Sequence, residues 1–193
     1  MIETIGKPNE NRESNDFYAT PPKEVENILE YEKLHGSILD NSCGEGHLIK
    51  PIKEKYPNNK IIATDLIDRG YGETGLDFLS KNYPYTNVDN IVMNPPFKYA
   101  NDFIKKSLKI INNKLLVFAR LQLLTSQARY NKIFKNNKPN RVYVYVDRVN
   151  CAKNADFKSN NSGSMTFAWF VWEKNNLGQP PTMYWLRRAD KRR

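Results

Sequence analysis

An Asn-Pro-Pro-Phe tetrapeptide, Asn94 to Phe97, directly follows an apolar segment, Val88 to Met93, which predicts a buried strand. These residue types suit methyl transfer to an exocyclic amino nitrogen such as adenine N6. That nitrogen is a poor nucleophile because its lone pair is delocalised into the ring. Two fixed acceptors for its N–H bonds would favour the pyramidal, reactive geometry and stabilise the developing charge.

Each residue of the tetrapeptide has a predicted catalytic role. The Asn94 side-chain oxygen is one acceptor, and the backbone carbonyl of Pro95 is the other. Pro95 and Pro96 fix their own φ angles and restrict the residue before each of them, which would hold that carbonyl in one direction. Phe97 offers a flat apolar face to a base. The structural alternative is a proline-stiffened loop that ends in a core phenylalanine.

A glycine-containing loop precedes the tetrapeptide. A short predicted strand ends at Asp40, Cys43-Gly44-Glu45-Gly46 follows, and a helix is predicted next. A second predicted strand ends at Asp65, 19 residues after Gly46. That spacing is typical of a carboxylate that binds ribose hydroxyls. The alternative is a simple glycine turn and a surface aspartate.

The loop favours S-adenosylmethionine over a dinucleotide as the cofactor. A dinucleotide fingerprint places a third glycine where this chain has Ile49. Glu45 would also bring a negative charge close to a pyrophosphate. S-adenosylmethionine has no phosphate, and Asp40 or Glu45 would attract its ammonium and sulfonium groups.

Apolar segments and helical patterns alternate along the chain, which predicts an α/β fold with a largely parallel sheet covered on both faces. Ligands of such sheets bind beyond the carboxyl ends of the strands. The two final strands should pair antiparallel. Predicted strands are 37–40, 60–65, 88–93, 115–119, 141–146 and 165–172, and predicted helices begin at Pro21-Pro22, after Gly46, and at 101–111 and 126–134. We expect a flexible arm at 1–16, one domain at 17–175 and a basic extension at 176–193.

Five motifs, in this order, resemble those of the Rossmann-like S-adenosylmethionine-dependent amino-methyltransferases. The resemblance is greatest to adenine-N6 DNA methyltransferases in which the cofactor motif precedes the catalytic one, including small phage or prophage members. It runs from about residue 17 to about residue 175. It implies a single-domain methyltransferase fold with a mainly parallel seven-stranded sheet and an antiparallel last strand.

The resemblance also assigns cofactor-binding residues. The segment 17–22 matches one that contacts the methionine part of the cofactor, although Thr20 could equally be a helix N-cap. Asp77 matches a residue that binds the cofactor's adenine amino group, with Phe78 or Leu79 packing on the ring. The full predicted set is Tyr18, Thr20, Pro21, Asp40, Ser42, Cys43, Gly44, Gly46, Asp65, Leu66, Asp77, Phe78 and Asn94.

The formal net charge of +9 indicates a polyanionic partner, with DNA as the first candidate. Larger DNA enzymes of this kind carry a separate recognition domain. Only about 20 residues follow the last predicted strand here, so we expect readout from loops, from a partner, or hardly at all. The segment 151–164 could hold a flipped base, or it could be a simple connector. Predicted nucleic-acid contacts are Lys98, Arg120, Lys153, Phe157 and Lys158.

The same residues leave other functions open. RNA methylation on adenine or guanine stays open, because a basic cleft serves both polymers. Protein-glutamine methylation ranks low, since fewer than 40 residues precede the glycine loop and those enzymes usually have a helical domain there. A non-catalytic binding protein with this fold is a further alternative. Cytosine C5 methylation needs a cysteine nucleophile, and neither Cys43 nor Cys151 is well placed.

No metal site is predicted, because His35 and His47 form no ligand cluster. The chain shows no signal peptide and no apolar run long enough for a membrane span. A cytoplasmic location is therefore expected, with no membrane partner. The sequence does not predict the oligomeric state.

Overall fold

The computed structural model describes residues 18–149, 151–153 and 166–188, so the predicted arm at 1–16 lies outside the described residues. The helices are α1 (Pro22–Tyr31), α2 (Ile49–Lys55), α3 (Ala100–Ile110) and α4 (Gln127–Arg129). The strands are β1 (Tyr18–Ala19), β2 (Ile38–Asp40), β3 (Ile61–Ala63), β4 (Val88–Met93), β5 (Ile111–Arg120), β6 (Arg141–Tyr145), β7 (Ala152–Lys153), β8 (Phe167–Glu173) and β9 (Thr182–Leu186). Short 3₁₀ turns follow β5 (Leu121–Leu124) and β8 (Lys174–Asn176).

Seven strands form the main sheet in the order β3-β2-β4-β5-β8-β6-β9. All neighbours are parallel except β8, which is antiparallel to both β5 and β6. The predicted fold is therefore confirmed, and the strand predicted last, 165–172, is the antiparallel one. The segment 126–134, predicted as one helix, consists of the short helix α4 followed by a π-helical turn, Tyr130–Phe134.

The seventh strand, β9, lies inside the segment predicted as a basic extension, so the sheet continues past the predicted boundary at 175. It pairs in parallel with β6. Four of its five residues are exposed. Backbone pairing at the sheet edge, rather than burial of one face, therefore defines this strand, and so the sequence carries no clear hydrophobic alternation to predict it.

Side chains alternate between the two faces of the sheet and build two hydrophobic cores. On one face α1 and α2 cover the sheet, and on the other α3 and the π-helical turn do so. Strand β8 is buried along almost its whole length and contributes aromatic rings to both cores. None of the described helices has the length and apolar character to cross a lipid bilayer.

The strand order reverses at β2. Strand β3 pairs with one edge of β2, and β4, the next strand along the chain, pairs with the other. In an open parallel sheet this reversal separates the loops that leave neighbouring strands and creates a crevice for ligands at their carboxyl ends. The glycine loop leaves β2 at this point, and the Asn-Pro-Pro-Phe tetrapeptide leaves β4.

Candidate active site

The glycine loop and the tetrapeptide are in direct contact. The Ser42 hydroxyl donates a hydrogen bond to the backbone carbonyl of Asn94, 3.3 Å away. Asn94 and Phe97 are half-buried, Pro95 is buried and Pro96 is exposed. The structure thus brings together two motifs that the sequence places at strand ends.

Asp65 holds the glycine loop in shape. Its carboxylate accepts the backbone N–H of Gly44 at 2.8 Å and that of Ile67 at 2.9 Å, one on each oxygen. Gly44 and Gly46 have φ values of 53° and 81°, which other residues rarely adopt. Each carboxylate oxygen has a second lone pair, so Asp65 can also accept ribose hydroxyls as predicted.

Asp40 and Asn41 place buried polar atoms without partners at the end of β2. Asp40 is fully buried, and its Oδ1 accepts the backbone N–H of Ser42 at 3.1 Å. Its Oδ2 and both amide atoms of Asn41 have no hydrogen-bond partner among the described residues. Burial raises the pKa of Asp40 to about 8, and the nearby Asp65 charge adds to this effect. Such groups fit a site for a polar or cationic ligand. Asn41 is not among the residues predicted from the sequence, and its place beside Asp40 is the one sequence feature that could have pointed to it.

The side-chain amide of Asn94 is held by the segment around β1. Its Nδ2 donates to the Tyr18 carbonyl at 2.7 Å and to the Thr20 hydroxyl at 3.1 Å. Because the nitrogen faces β1, the amide oxygen faces away from it. The N-cap of α1 is Pro21 without a side-chain cap, so the interpretation of Thr20 as an N-cap is wrong: its hydroxyl serves Asn94 instead.

The Pro95 carbonyl accepts no hydrogen bond from any described residue, whereas its neighbours on both sides do. The carbonyl of Pro96 accepts the backbone N–H of Tyr99 at 2.9 Å, which closes a turn. Of the carbonyls of Asn94, Pro95 and Pro96, the predicted acceptor is that of Pro95, and it is the one to which no described residue donates a hydrogen bond.

Phe97 packs within a small aromatic and cationic cluster. Its ring centroid lies 5.3 Å from that of Tyr18. The guanidinium carbon of Arg120, at the end of β5, lies 4.1 Å from the Phe97 ring centroid. Arg120, a predicted nucleic-acid contact, therefore packs on the ring of Phe97, a predicted catalytic residue. Tyr18, a predicted cofactor contact, packs on the same ring.

The predicted adenine-binding residues differ in accessibility. Asp77 is exposed, and its Oδ1 accepts the backbone N–H of Leu79 at 2.8 Å. Phe78 is 1% exposed and packs in the core, with its ring centroid 4.9 Å from that of Phe103. Of the two residues expected to pack on an adenine, the half-buried Leu79 is therefore the accessible one. Leu66 is exposed beside Asp65.

The remaining predicted contacts lie around the tetrapeptide or outside the described residues. Lys98 is exposed directly after Phe97. Lys153 lies in β7, whose backbone pairs antiparallel with β1, with Lys153 opposite Tyr18. Phe157 and Lys158 lie outside the described residues.

The two cysteines are buried thiols. Burial raises the pKa of Cys43 to about 12, and it also raises the pKa of Cys151. Both therefore stay protonated at neutral pH and are poor nucleophiles. Within the described part of the chain, no group of three His, Cys, Asp or Glu residues is arranged to hold a metal ion.

Solved structures share this fold at low sequence identity. A modification subunit of a type I restriction enzyme from Vibrio vulnificus, so described, matches with a TM-score of 0.61 and 14% identity over 89% of this chain and 47% of that one. TrmN from Thermus thermophilus matches with a TM-score of 0.56 and 16% identity, over 79% of this chain and 48% of that one. Magnesium protoporphyrin IX methyltransferase from Synechocystis, with bound S-adenosylmethionine, matches with a TM-score of 0.53 and 12% identity, over 79% of each chain.

The chain has the Rossmann-like fold of methyltransferases. It spans about half the length of the first two of these structures. No protein-family model and no curated protein sequence matches it.

Proposed function

We propose that this protein is an S-adenosylmethionine-dependent methyltransferase that acts on an exocyclic amino nitrogen, with adenine N6 in DNA as the substrate. One observation carries the proposal. The two acceptors that the reaction needs, the Asn94 amide oxygen and the Pro95 carbonyl, are both left without donors among the described residues, beside the glycine loop.

The residues at the end of β2 fit the cofactor. The buried Asp40 and Asn41 have unpaired polar atoms, and Gly44 and Gly46 turn the backbone beside them with positive φ angles. Asp65 would accept the ribose hydroxyls, and Asp40 would face the cationic part of the cofactor. S-adenosylmethionine supplies the electrophilic methyl group when bound.

The tetrapeptide would prepare the nucleophile. Asn94 and Pro95 accept the two N–H bonds of the amine, which favours a pyramidal nitrogen with its lone pair directed at the methyl group. Phe97 packs against the base. The methylated nitrogen then carries a positive charge and loses a proton to water, so no strong general base is required.

A polynucleotide substrate is favoured by charge. Arg120 and Lys98 lie at the reactive end, and the whole chain has a net charge of +9. DNA ranks ahead of RNA because the ordered motifs of the chain most resemble those of adenine-N6 DNA methyltransferases. We also propose that the segment 151–164, with Phe157 and Lys158, holds a flipped base.

The test is methyl transfer from labelled S-adenosylmethionine to unmethylated DNA and to RNA of the same sequence, followed by mass spectrometry of the nucleosides. We expect N6-methyladenine in DNA. Asn94→Ala and Phe97→Ala should abolish it, and Asn58→Ala, at an exposed turn, is the matched control. Phe97→Ala should still bind S-adenosylhomocysteine in calorimetry.

Each alternative predicts a different outcome. Label in RNA alone or in protein alone would refute the DNA substrate. A protein that binds DNA but neither form of the cofactor would be a non-catalytic binding protein. Sequencing of the methylated positions would then define any recognition site.

A further inference from the structure

We infer that Thr20 is a positioning residue for Asn94: its hydroxyl and the Tyr18 carbonyl fix the amide so that only the oxygen faces the substrate amine. This inference rests on the proposed function. It assigns to Thr20 a role in orienting the reactive loop, whereas the motif resemblance assigns Thr20 to the cofactor.

The hydrogen-bond geometry allows one orientation of the amide. The Asn94 Nδ2 group has two protons, and each has an acceptor, the Tyr18 carbonyl at 2.7 Å and the Thr20 Oγ1 at 3.1 Å. A flipped amide would place its oxygen against the Tyr18 carbonyl, and two acceptors repel each other. Thr20 is 2% exposed, so water has little access to replace its hydroxyl.

Both acceptors are themselves held in place. Strand β1 pairs antiparallel with β7, with Tyr18 opposite Lys153 and Ala19 opposite Ala152, which fixes the direction of the Tyr18 carbonyl. Thr20 precedes Pro21, and a residue before proline is restricted to extended backbone. The amide is therefore oriented by a strand and a proline turn, 74 to 76 residues before it in the chain.

Thr20→Val tests the role, because valine has nearly the same shape and lacks the acceptor. We expect the single-turnover rate of methyl transfer to fall about fivefold to tenfold, the usual effect of one hydrogen bond. The Kd for S-adenosylhomocysteine should stay unchanged. Thr20→Ser keeps the hydroxyl and should restore the rate to within about twofold of the original. If the cofactor Kd rises instead and the rate at saturation is unchanged, Thr20 is a cofactor ligand and the inference is overturned.

A second measurement does not depend on activity. The side-chain amide protons of Asn94 can be assigned by NMR from their loss in Asn94→Asp, and their exchange with solvent can then be followed. We expect slow exchange in the original protein and in Thr20→Ser, and exchange at least about tenfold faster in Thr20→Val. Equal exchange in all three proteins would overturn the inference even if methyl transfer occurs.

The exchange result also separates this inference from the proposed function. If no nucleic acid is methylated but the exchange pattern is as expected, the proposed substrate is wrong and the positioning role is supported. Thr20→Ala removes the same acceptor and serves if the valine variant does not fold.

Discussion

Replacing Asp40 by asparagine should stabilise the cofactor-free protein, by an amount that grows with pH. Asp40 is fully buried, and its Oδ2 has no partner among the described residues. Burial raises its pKa from the ordinary 3.8 to about 8, and the Asp65 charge contributes in the same direction. Asparagine has nearly the same shape and stays neutral, so it mimics the protonated form of Asp40 at every pH.

The sign and size of the effect follow from proton linkage. The pKa of this carboxyl is higher in the folded than in the unfolded chain, so its contribution to stability is complete below the unfolded pKa and is lost as pH rises towards the folded pKa. In that range the unfolding free energy falls by about 1.4 kcal/mol for each pH unit. Between pH 5 and pH 7 the original protein should lose about 2.5 kcal/mol relative to Asp40→Asn.

Urea denaturation of both proteins at pH 5 and pH 7, without cofactor, measures this difference. Every other titrating group is present in both proteins, so its contribution largely cancels. The advantage of Asp40→Asn should be about 1.7 kcal/mol at pH 5 and about 2.5 kcal/mol larger at pH 7. An advantage that is the same at both pH values would show that Asp40 is ionised in the folded protein, and the argument for an uncompensated buried carboxyl would fail.

Three further predictions concern other contacts. Gly46→Ala should destabilise the glycine loop and weaken S-adenosylhomocysteine binding in calorimetry, because φ is 81° and a Cβ would lie 2.7 Å from the Tyr71 ring. Arg120→Gln should reduce the affinity for DNA and flatten its salt dependence, with the cofactor Kd unchanged, since one cation is lost beside the reactive loop. Hydrogen bonding to Arg141 lowers the pKa of Glu173 from its ordinary 4.5 to about 2. The stability that the ionised Glu173 confers is therefore present above pH 4.5 and is lost as pH falls towards 2. Glu173→Gln should accordingly lose less stability in acid, measured by urea denaturation.

The elements that position the site could be predicted because their residues carry local patterns. Strand β4 is buried along most of its length and ends in the apolar run Ile91 to Met93 before the tetrapeptide, and β2 ends at Asp40 before the glycine turn. The carboxyl ends of parallel strands lie at the same edge of the sheet, so the sequence predicted that both loops lie at this edge, and the pairing of β2 with β4 makes them neighbours. Their contact through Ser42 and Asn94 follows from that topology.

Other features depend on tertiary contacts that have no local pattern. The hydroxyl of Thr20 could have capped α1, but the sheet brings Asn94 to it from 74 residues away. Phe78 follows Asp77 as in a cofactor motif, but its ring is buried against Phe103 of α3 and against Tyr83. Strand β9 is an exposed edge that pairs through its backbone, which periodicity does not detect.

The site separates its charges in a way that suits the proposed reaction. Asp40 and Asp65 lie at the cofactor end, and Arg120 lies over Phe97 at the substrate end. The sulfonium of S-adenosylmethionine is positively charged and the product thioether is neutral, so these acids would favour binding of the donor and release of the product, and they would not lower the barrier to methyl transfer itself. A cation next to Asp40 would also favour its ionised form. Binding of S-adenosylmethionine at pH 7 should therefore release close to one proton, and Asp40→Asn should abolish this release. Calorimetry in buffers of different ionisation enthalpy measures the number of protons released. The same proton release in both proteins would mean that the cation binds elsewhere.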